Sequence, residues 1–233
     1  MAGRSRKHNK NTDRWWMGKV RSLDVGERLR LIPFWERGSV ASDRTPLIVD
    51  PGPAFGAGDH PTTIMALELL EEAVIEKTRT GCAPTLLDVG TGTGVLAVAG
   101  RILGTGFTVG LDIDPVSVCT ARRNAGLNGF DRPDAGSRHI IDFVVGGADC
   151  IGGRFHIVTV NLVAPVLLRI RDDLIDRAGH TLILSGIADV MADEVFTAYG
   201  SGDLAVSRIE SREGWNAATF HTNSPCDPVP NAA

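Results

Sequence analysis

Apolar positions along the chain follow two periods, and the order in which those periods alternate predicts the fold. Residues 85–89 are β-branched and aliphatic with one interruption at Asp88, the pattern of a strand covered on both faces. Residues 95–103 then repeat apolar side chains at helical spacing. A strand over 107–112 comes next, and a helix from Pro115, a favoured first helical residue, to about 127. The series continues with strands at 140–145 and 155–160, a helix at about 164–177, a strand at 181–185 and a helix at about 188–199. Two last strands, near 204–209 and 215–221, flank the turn Ser211-Arg-Glu-Gly214 and are expected to pair antiparallel. Alternation of this kind means βαβ units. The predicted fold is α/β, a doubly wound seven-stranded and mostly parallel sheet with an antiparallel hairpin at one end.

Upstream the pattern is thinner. Trp15 and Trp16 read as an aromatic anchor, 28–32 as a strand that stops at Pro33, and 46–50 as a second short strand, with Phe34 and Trp35 in a turn between them. The stretch 50–63 is too rich in Gly and Pro for either regular element. It ends where Thr62 or Thr63 is expected to cap a helix whose apolar face is Ile64, Leu67, Leu70 and Val74. The chain thus divides into a disordered basic tail (1–14), a linker-like segment with short strands (15–50), the main domain (51–222) and a Pro-rich polar tail (223–233).

Composition changes this picture little. A 43% hydrophobic and 22% charged content over 233 residues suits a soluble globular protein in the cytoplasm, and no apolar run reaches the roughly 20 residues of a membrane span. The basic start has no apolar stretch behind it, so it is not read as a secretory signal. Cys82, Cys119, Cys150 and Cys226 lack paired metal spacing and are read as reduced thiols. Charge is uneven: Arg4, Arg6, Lys7, Lys10 and Arg14 face only Asp13 within the first fourteen residues, although the whole chain carries −4. A solvated arm is one reading of this tail, weak contact with RNA or the ribosome another.

The chemistry is concentrated at expected strand ends, where ligands lie in such sheets. Asp88-Val-Gly-Thr-Gly-Thr-Gly94 reads as strand, tight turn and helix start, with Gly90, Gly92 and Gly94 letting backbone approach a ligand. The absence of Gly-Lys-Ser/Thr excludes a phosphate-cradling Walker loop, and Val95 stands where the dinucleotide fingerprint wants its third glycine. Asp88 suits a ligand with a cationic amino-acid end, which favours S-adenosylmethionine over a nicotinamide cofactor. Asp112 lies 22 residues beyond Gly90, near the spacing of an acidic residue that accepts from ribose hydroxyls, while Asp114 is turned away by Pro115. Asp149, in the loop after the third strand, is a candidate for the adenine. Asn161 ends the fourth strand; its amide oxygen can accept from an amine and aim the nitrogen lone pair at a methyl carbon. No base is evident for the amine's proton. His60 has no partner at ligand spacing, so no metal is expected. The loop that carries it is expected to fold over the cofactor, with Phe55 packing on the ligand and Thr62 or Thr63 donating a hydroxyl.

Together these stretches resemble one family, the PrmA methyltransferases, which methylate the eleventh protein of the large ribosomal subunit with S-adenosylmethionine. The most specific element is Asp50-Pro-Gly-Pro-Ala-Phe-Gly-Ala-Gly-Asp-His-Pro-Thr-Thr63, followed in order by the glycine turn, Gly110-Leu-Asp-Ile-Asp-Pro115, Asn124-Ala-Gly-Leu-Asn-Gly129, Asn161-Leu-Val-Ala164, Leu184-Ser-Gly-Ile187 and Glu213-Gly-Trp215. The resemblance spans about residues 15–222 and implies a class I S-adenosylmethionine-dependent methyltransferase acting on amino groups of a protein. It implies cofactor contacts from Phe55, Gly56, His60, Thr62, Thr63, Asp88, Gly90, Asp112 and Asn161; Gly92 and Asp149 join them from the residues alone. Ala57 departs from the family's usual Thr. Family members also begin with a recognition domain, of which only something like the linker is expected here. A cofactor-binding protein without turnover, or a methyltransferase of another protein or a small amine, therefore stay open as alternatives.

Overall fold

The computed structural model describes residues 21–38, 42–52, 58–81, 83–130 and 141–223. Residues 1–14 and 224–233 of the expected tails, with Trp15, Trp16, Phe55, Gly56, Ala57, Cys82 and Cys226, lie outside the described residues. The chain opens with a three-stranded sheet, β1 (Leu23–Val25), β2 (Leu29–Pro33) and β3 (Thr45–Val49). β1 pairs antiparallel with β2, and β2 parallel with β3. Three residues are too few to show a period, and β1 is absent from the sequence-based reading for that reason.

The main sheet follows the predicted alternation. α1 (Pro61–Thr78) leads to β4 (Leu86–Val89), α2 (Val95–Leu103), β5 (Thr108–Asp112), α3 (Pro115–Leu127), β6 (Ile141–Val145) and β7 (Phe155–Asn161). Then come α4 (Ala164–Arg169), α5 (Arg171–Arg177), β8 (Ala178–Ala188), α6 (Ala192–Tyr199), β9 (Leu204–Arg212) and β10 (Trp215–Thr222). The strand order is β6-β5-β4-β7-β8-β10-β9. The first five are parallel, and β10 joins β8 and β9 antiparallel. The expected seven-stranded sheet with its terminal hairpin is what forms.

Alternating side chains feed two cores. Leu86, Ile157 and Ile183 point to the face covered by α1, α2, α3 and the N-terminal strands, while Leu87, Val158 and Leu182 point to the face covered by α4, α5 and α6. The central strands are buried on both sides, so they read as unbroken apolar runs.

Two element boundaries differ from expectation. The single helix expected over 164–177 breaks at Ile170, whose backbone leaves helical geometry at φ −101° and ψ 16°. The buried Tyr199 hydroxyl donates to the Leu167 carbonyl at 2.6 Å, taking an acceptor that a continuous helix would turn toward residue 171. The helix expected from 188 begins instead at Ala192, because β8 continues to Ala188. Ile187 and Ala188 still pair there with Asn216 and Trp215 of β10.

Candidate functional site

The carboxyl ends of β5, β4, β7 and β8 lie side by side, and the candidate residues gather there. After β4 the chain turns through Gly90, Gly92 and Gly94, all at positive φ (71°, 53° and 80°), before α2 begins at Val95. A side chain at Gly90 would stand 2.7 Å from the Leu162 Cδ2, and one at Gly94 2.9 Å from the Ala121 Cβ. The turn is therefore pressed between the β7 loop and α3, and only glycine fits its backbone.

Asp88, at the third position of β4, is buried. It is 1% exposed, and its two carboxylate oxygens accept from the Thr91 hydroxyl (2.6 Å) and the Thr159 hydroxyl (2.9 Å). Burial outweighs these bonds and pushes its pKa up to about 6. The carboxylate thus lies beneath the turn, bonded to Thr91 within it and to Thr159 of β7. The sequence reading did not single out Thr91, in the glycine turn, or Thr159, inside β7, and nothing local marks them as partners of Asp88.

Asp112 and Asp114 have different partners. Asp114 caps α3, accepting from Val116 N at 2.9 Å. Asp112 is half-buried and accepts from Gly92 N and from Asp114 N, each at 2.9 Å, which ties the end of β5 to the glycine turn. Beside it Ile113 is 78% exposed. Gly146 N donates to the Asp112 main-chain oxygen at 2.9 Å, bringing the loop that carries exposed Asp149 alongside.

The third group joins α1 to β7 and β8. The cap of α1 is His60, not Thr62 or Thr63: its Nδ1 accepts from Thr62 N and lies 2.8 Å from the Thr62 hydroxyl, and Pro61 opens the helix. With Pro61 at the first helical position, both threonines fall inside the first turn, leaving their hydroxyls for other partners. Asn161 Nδ2 donates to Thr63 Oγ1 at 3.3 Å, and Ser185 Oγ donates to the Thr62 carbonyl at 2.8 Å. The His60 ring packs edge-on against Trp215, with centroids 5.3 Å apart. Gly186, at φ +85°, leaves room where a side chain would stand 2.4 Å from the Leu162 carbonyl oxygen and 3.1 Å from Asn161 Oδ1. Ser185, Gly186 and Trp215 lie in stretches that carry the family resemblance, but nothing local marked the first two as neighbours of Asn161 or the third as a neighbour of His60.

Two clefts lie elsewhere. One, of about 540 Å³, is framed by β5, β6 and α3 around Phe107, Phe130 and Phe143; the other, of about 460 Å³, lies along α1 and β9 among Glu68, Glu72 and Arg208. Neither includes Asp112 or Asn161. Among the described residues no group of three or more His, Cys, Asp or Glu side chains could hold a metal ion, and no helix is long and apolar enough to cross a membrane.

Against known proteins, residues 5–223 match the family described as ribosomal protein L11 methyltransferase (PrmA). The chain is 34% identical over 205 residues to the ribosomal protein L11 methyltransferase of Symbiobacterium thermophilum, covering 87% of this chain and 62% of that protein. It is 34% identical over 208 residues to that of Pelobacter propionicus, covering 88% of this chain and 64% of that protein. The chain thus spans a little under two thirds of the length of these curated relatives. Among solved structures, the ribosomal protein L11 methylase of Lactobacillus delbrueckii subsp. bulgaricus superposes with a TM-score of 0.74 at 24% identity, over 87% of this chain and 98% of that one. The magnesium protoporphyrin IX methyltransferase of Synechocystis PCC 6803 with bound SAM gives 0.54 at 16% identity, over 81% and 89%. These two likenesses show the class I methyltransferase fold.

Proposed function

The chain belongs to the ribosomal protein L11 methyltransferase (PrmA) family, and on that premise we propose that it transfers methyl from S-adenosylmethionine to a protein amino group, a lysine or N-terminal amine of a ribosomal protein. The observation that carries this reading is the spacing of Asp112 and Asn161. They end β5 and β7, the two neighbours of β4, so the glycine turn lies between them and about 10 Å of sheet separates them. A ligand laid across that gap meets an acceptor for hydroxyls at one end and an acceptor for an amine at the other.

The residues present fit this cofactor. Exposed Ile113 beside Asp112 offers an apolar surface for a flat base, the glycine turn admits close approach of a ligand, and Asp149 borders the same end. Phe55 and Gly56, outside the described residues, belong to the loop assigned to cover it. When bound, S-adenosylmethionine supplies a methyl group on a positively charged sulfur with a good leaving group.

What remains for the protein is orientation. The Thr63 hydroxyl takes the Asn161 Nδ2, which leaves Oδ1 as the end free to accept from an amine. Gly186 keeps the space beside that oxygen and the Leu162 carbonyl open. The amine, with a pKa of about 10.4 for a lysine, loses its proton to solvent before transfer, since no described side chain is assigned as its base. The basic charge of residues 1–14 suits weak contact with RNA or the ribosome, and a ribosomal substrate would be met in the cytoplasm.

Incubation with radiolabelled S-adenosylmethionine and purified ribosomal proteins tests the proposal. Label is expected on protein amino groups and is lost in Asn161→Ala. Cofactor binding without any labelled protein would favour a binding protein without turnover. Calorimetry showing affinity for a nicotinamide cofactor and none for S-adenosylmethionine would overturn the reading.

A further inference from the structure

Strand β3 pairs with β2 along one edge, and along the other α3 supplies side chains in place of a strand. Asn128 accepts from Ile48 N through Oδ1 at 2.9 Å and donates through Nδ2 to the Ile48 carbonyl at 2.7 Å. One helical turn earlier Asn124 repeats the pattern two residues along the chain, accepting from Asp50 N at 2.9 Å and donating to the Asp50 carbonyl at 3.0 Å. Positions i and i+4 of a helix rise by about 6 Å, and positions i and i+2 of a strand by about 6.6 Å. The two amides therefore match the two backbone sites on that edge.

The two asparagines differ in their remaining bond. The second donation of Asn128 Nδ2 stays within its own helix, to the Asn124 carbonyl at 2.8 Å. That of Asn124 Nδ2 leaves the helix and reaches the Thr93 carbonyl at 2.8 Å, inside the glycine turn. Asn124 is 1% exposed, and three segments meet at its amide: Asp50 just past β3, the glycine turn at Thr93, and α3 itself. Neighbouring contacts secure the same junction. Arg123 pairs with the Asp50 carboxylate at 2.6 Å, Asp50 Oδ1 accepts from Gly52 N at 3.1 Å, and Gly94 packs on Ala121, one turn before Asn124.

We propose that Asn124 is a positioning residue of the cofactor site. Its amide registers Asp50, just past β3, against the carbonyl of the turn that receives the cofactor, so the placement of Asp50–Gly52 and occupancy of the turn are coupled. This rests on the reading of the site as one for S-adenosylmethionine. By reciprocity, a ligand held at the turn must then stabilise that end of β3, and loosening its anchor must weaken the ligand. Asn128 holds the same strand without touching the turn, which makes it the internal control.

The test uses the full chain as wild type, Asn124→Ala and Asn128→Ala, with S-adenosylmethionine as the ligand. Calorimetry gives its Kd, and amide hydrogen exchange follows peptides covering 45–52 with and without it. Asn124→Ala is expected to raise the Kd about 10-fold and to abolish ligand-induced protection of 45–52. Asn128→Ala is expected to lower the melting temperature comparably while keeping the Kd within about 3-fold and the protection intact. If Asn124→Ala does not fold, Asn124→Ser, which keeps one hydroxyl donor, carries the same comparison. Equal changes in Kd for the two variants, or wild-type binding without protection of 45–52, would overturn the coupling alone. Wild-type protein that binds no S-adenosylmethionine would overturn the cofactor reading and the coupling together.

Discussion

Asn161 Nδ2 donates to Thr63 Oγ1 at 3.3 Å, tying the end of β7 to the first turn of α1 across 98 residues of sequence. An amide held by its nitrogen presents its oxygen, so under the proposed function this bond sets which end of Asn161 would meet an incoming amine. Thr63→Val keeps the shape and removes the hydroxyl. Methyl transfer measured under saturating cofactor is expected to fall about 10-fold in Thr63→Val and about 10²-fold in Asn161→Ala, through misplacement of the amine. Unchanged turnover in Asn161→Ala would remove it from the chemistry.

Gly186 and Gly202 share a left-handed backbone, at φ +85° and +81°, yet differ in surroundings. A Cβ at Gly202 meets nothing within 4 Å, whereas one at Gly186 would lie 2.4 Å from the Leu162 carbonyl oxygen. Gly202→Ala should therefore cost only the conformational term, about 1–2 kcal/mol, and leave methyl transfer intact. Gly186→Ala should lower the melting temperature further and abolish transfer, because Leu162 and Asn161 must shift. Thermal unfolding and activity of the pair provide the check.

Asp112 and Asp114 should separate cleanly by substitution. Asp112→Asn removes a charged acceptor from the end of β5, and the cofactor Kd is expected to rise about 10- to 100-fold. Asp114→Ala removes the α3 cap, at about 1 kcal/mol of stability, with the Kd unchanged. Calorimetry beside chemical denaturation distinguishes the two.

Asp88 predicts a pH dependence. Its folded pKa of about 6 lies above the usual carboxylate value, so between those values the folded state binds more proton than the unfolded state. Its contribution to stability is fully present at about pH 3 and is lost as pH rises through about 6, by roughly 3 kcal/mol in all. The difference in unfolding free energy between wild type and Asp88→Asn should therefore fall over that window and be flat above about pH 7. A flat difference throughout would show that Asp88 titrates normally.

The parts of the site legible in the sequence were those set by position along a strand. Asp112 and Asn161 could be placed because strand ends follow from apolar runs, and in a parallel sheet those ends face the ligand. The hidden parts were partners. Nothing near Asp88 in sequence shows that Thr159 comes from the adjacent strand to bond with it, or that His60 is drawn against Trp215. The break at Ile170 was invisible for the same reason, since the hydroxyl donating to the Leu167 carbonyl belongs to Tyr199.

By itself, then, the sequence determined the order of strands and helices, the three-glycine turn and which residues end the central strands. Those features depend on local periodicity and on the few residues that tolerate positive φ. Only the tertiary structure decided what the polar atoms do: Asp88 turned inward under the turn, His60 capping α1, and Asn124 and Asn128 completing the edge of β3. A buried polar group must find a partner wherever packing brings one. That partner lies at a distance in sequence that no local pattern records.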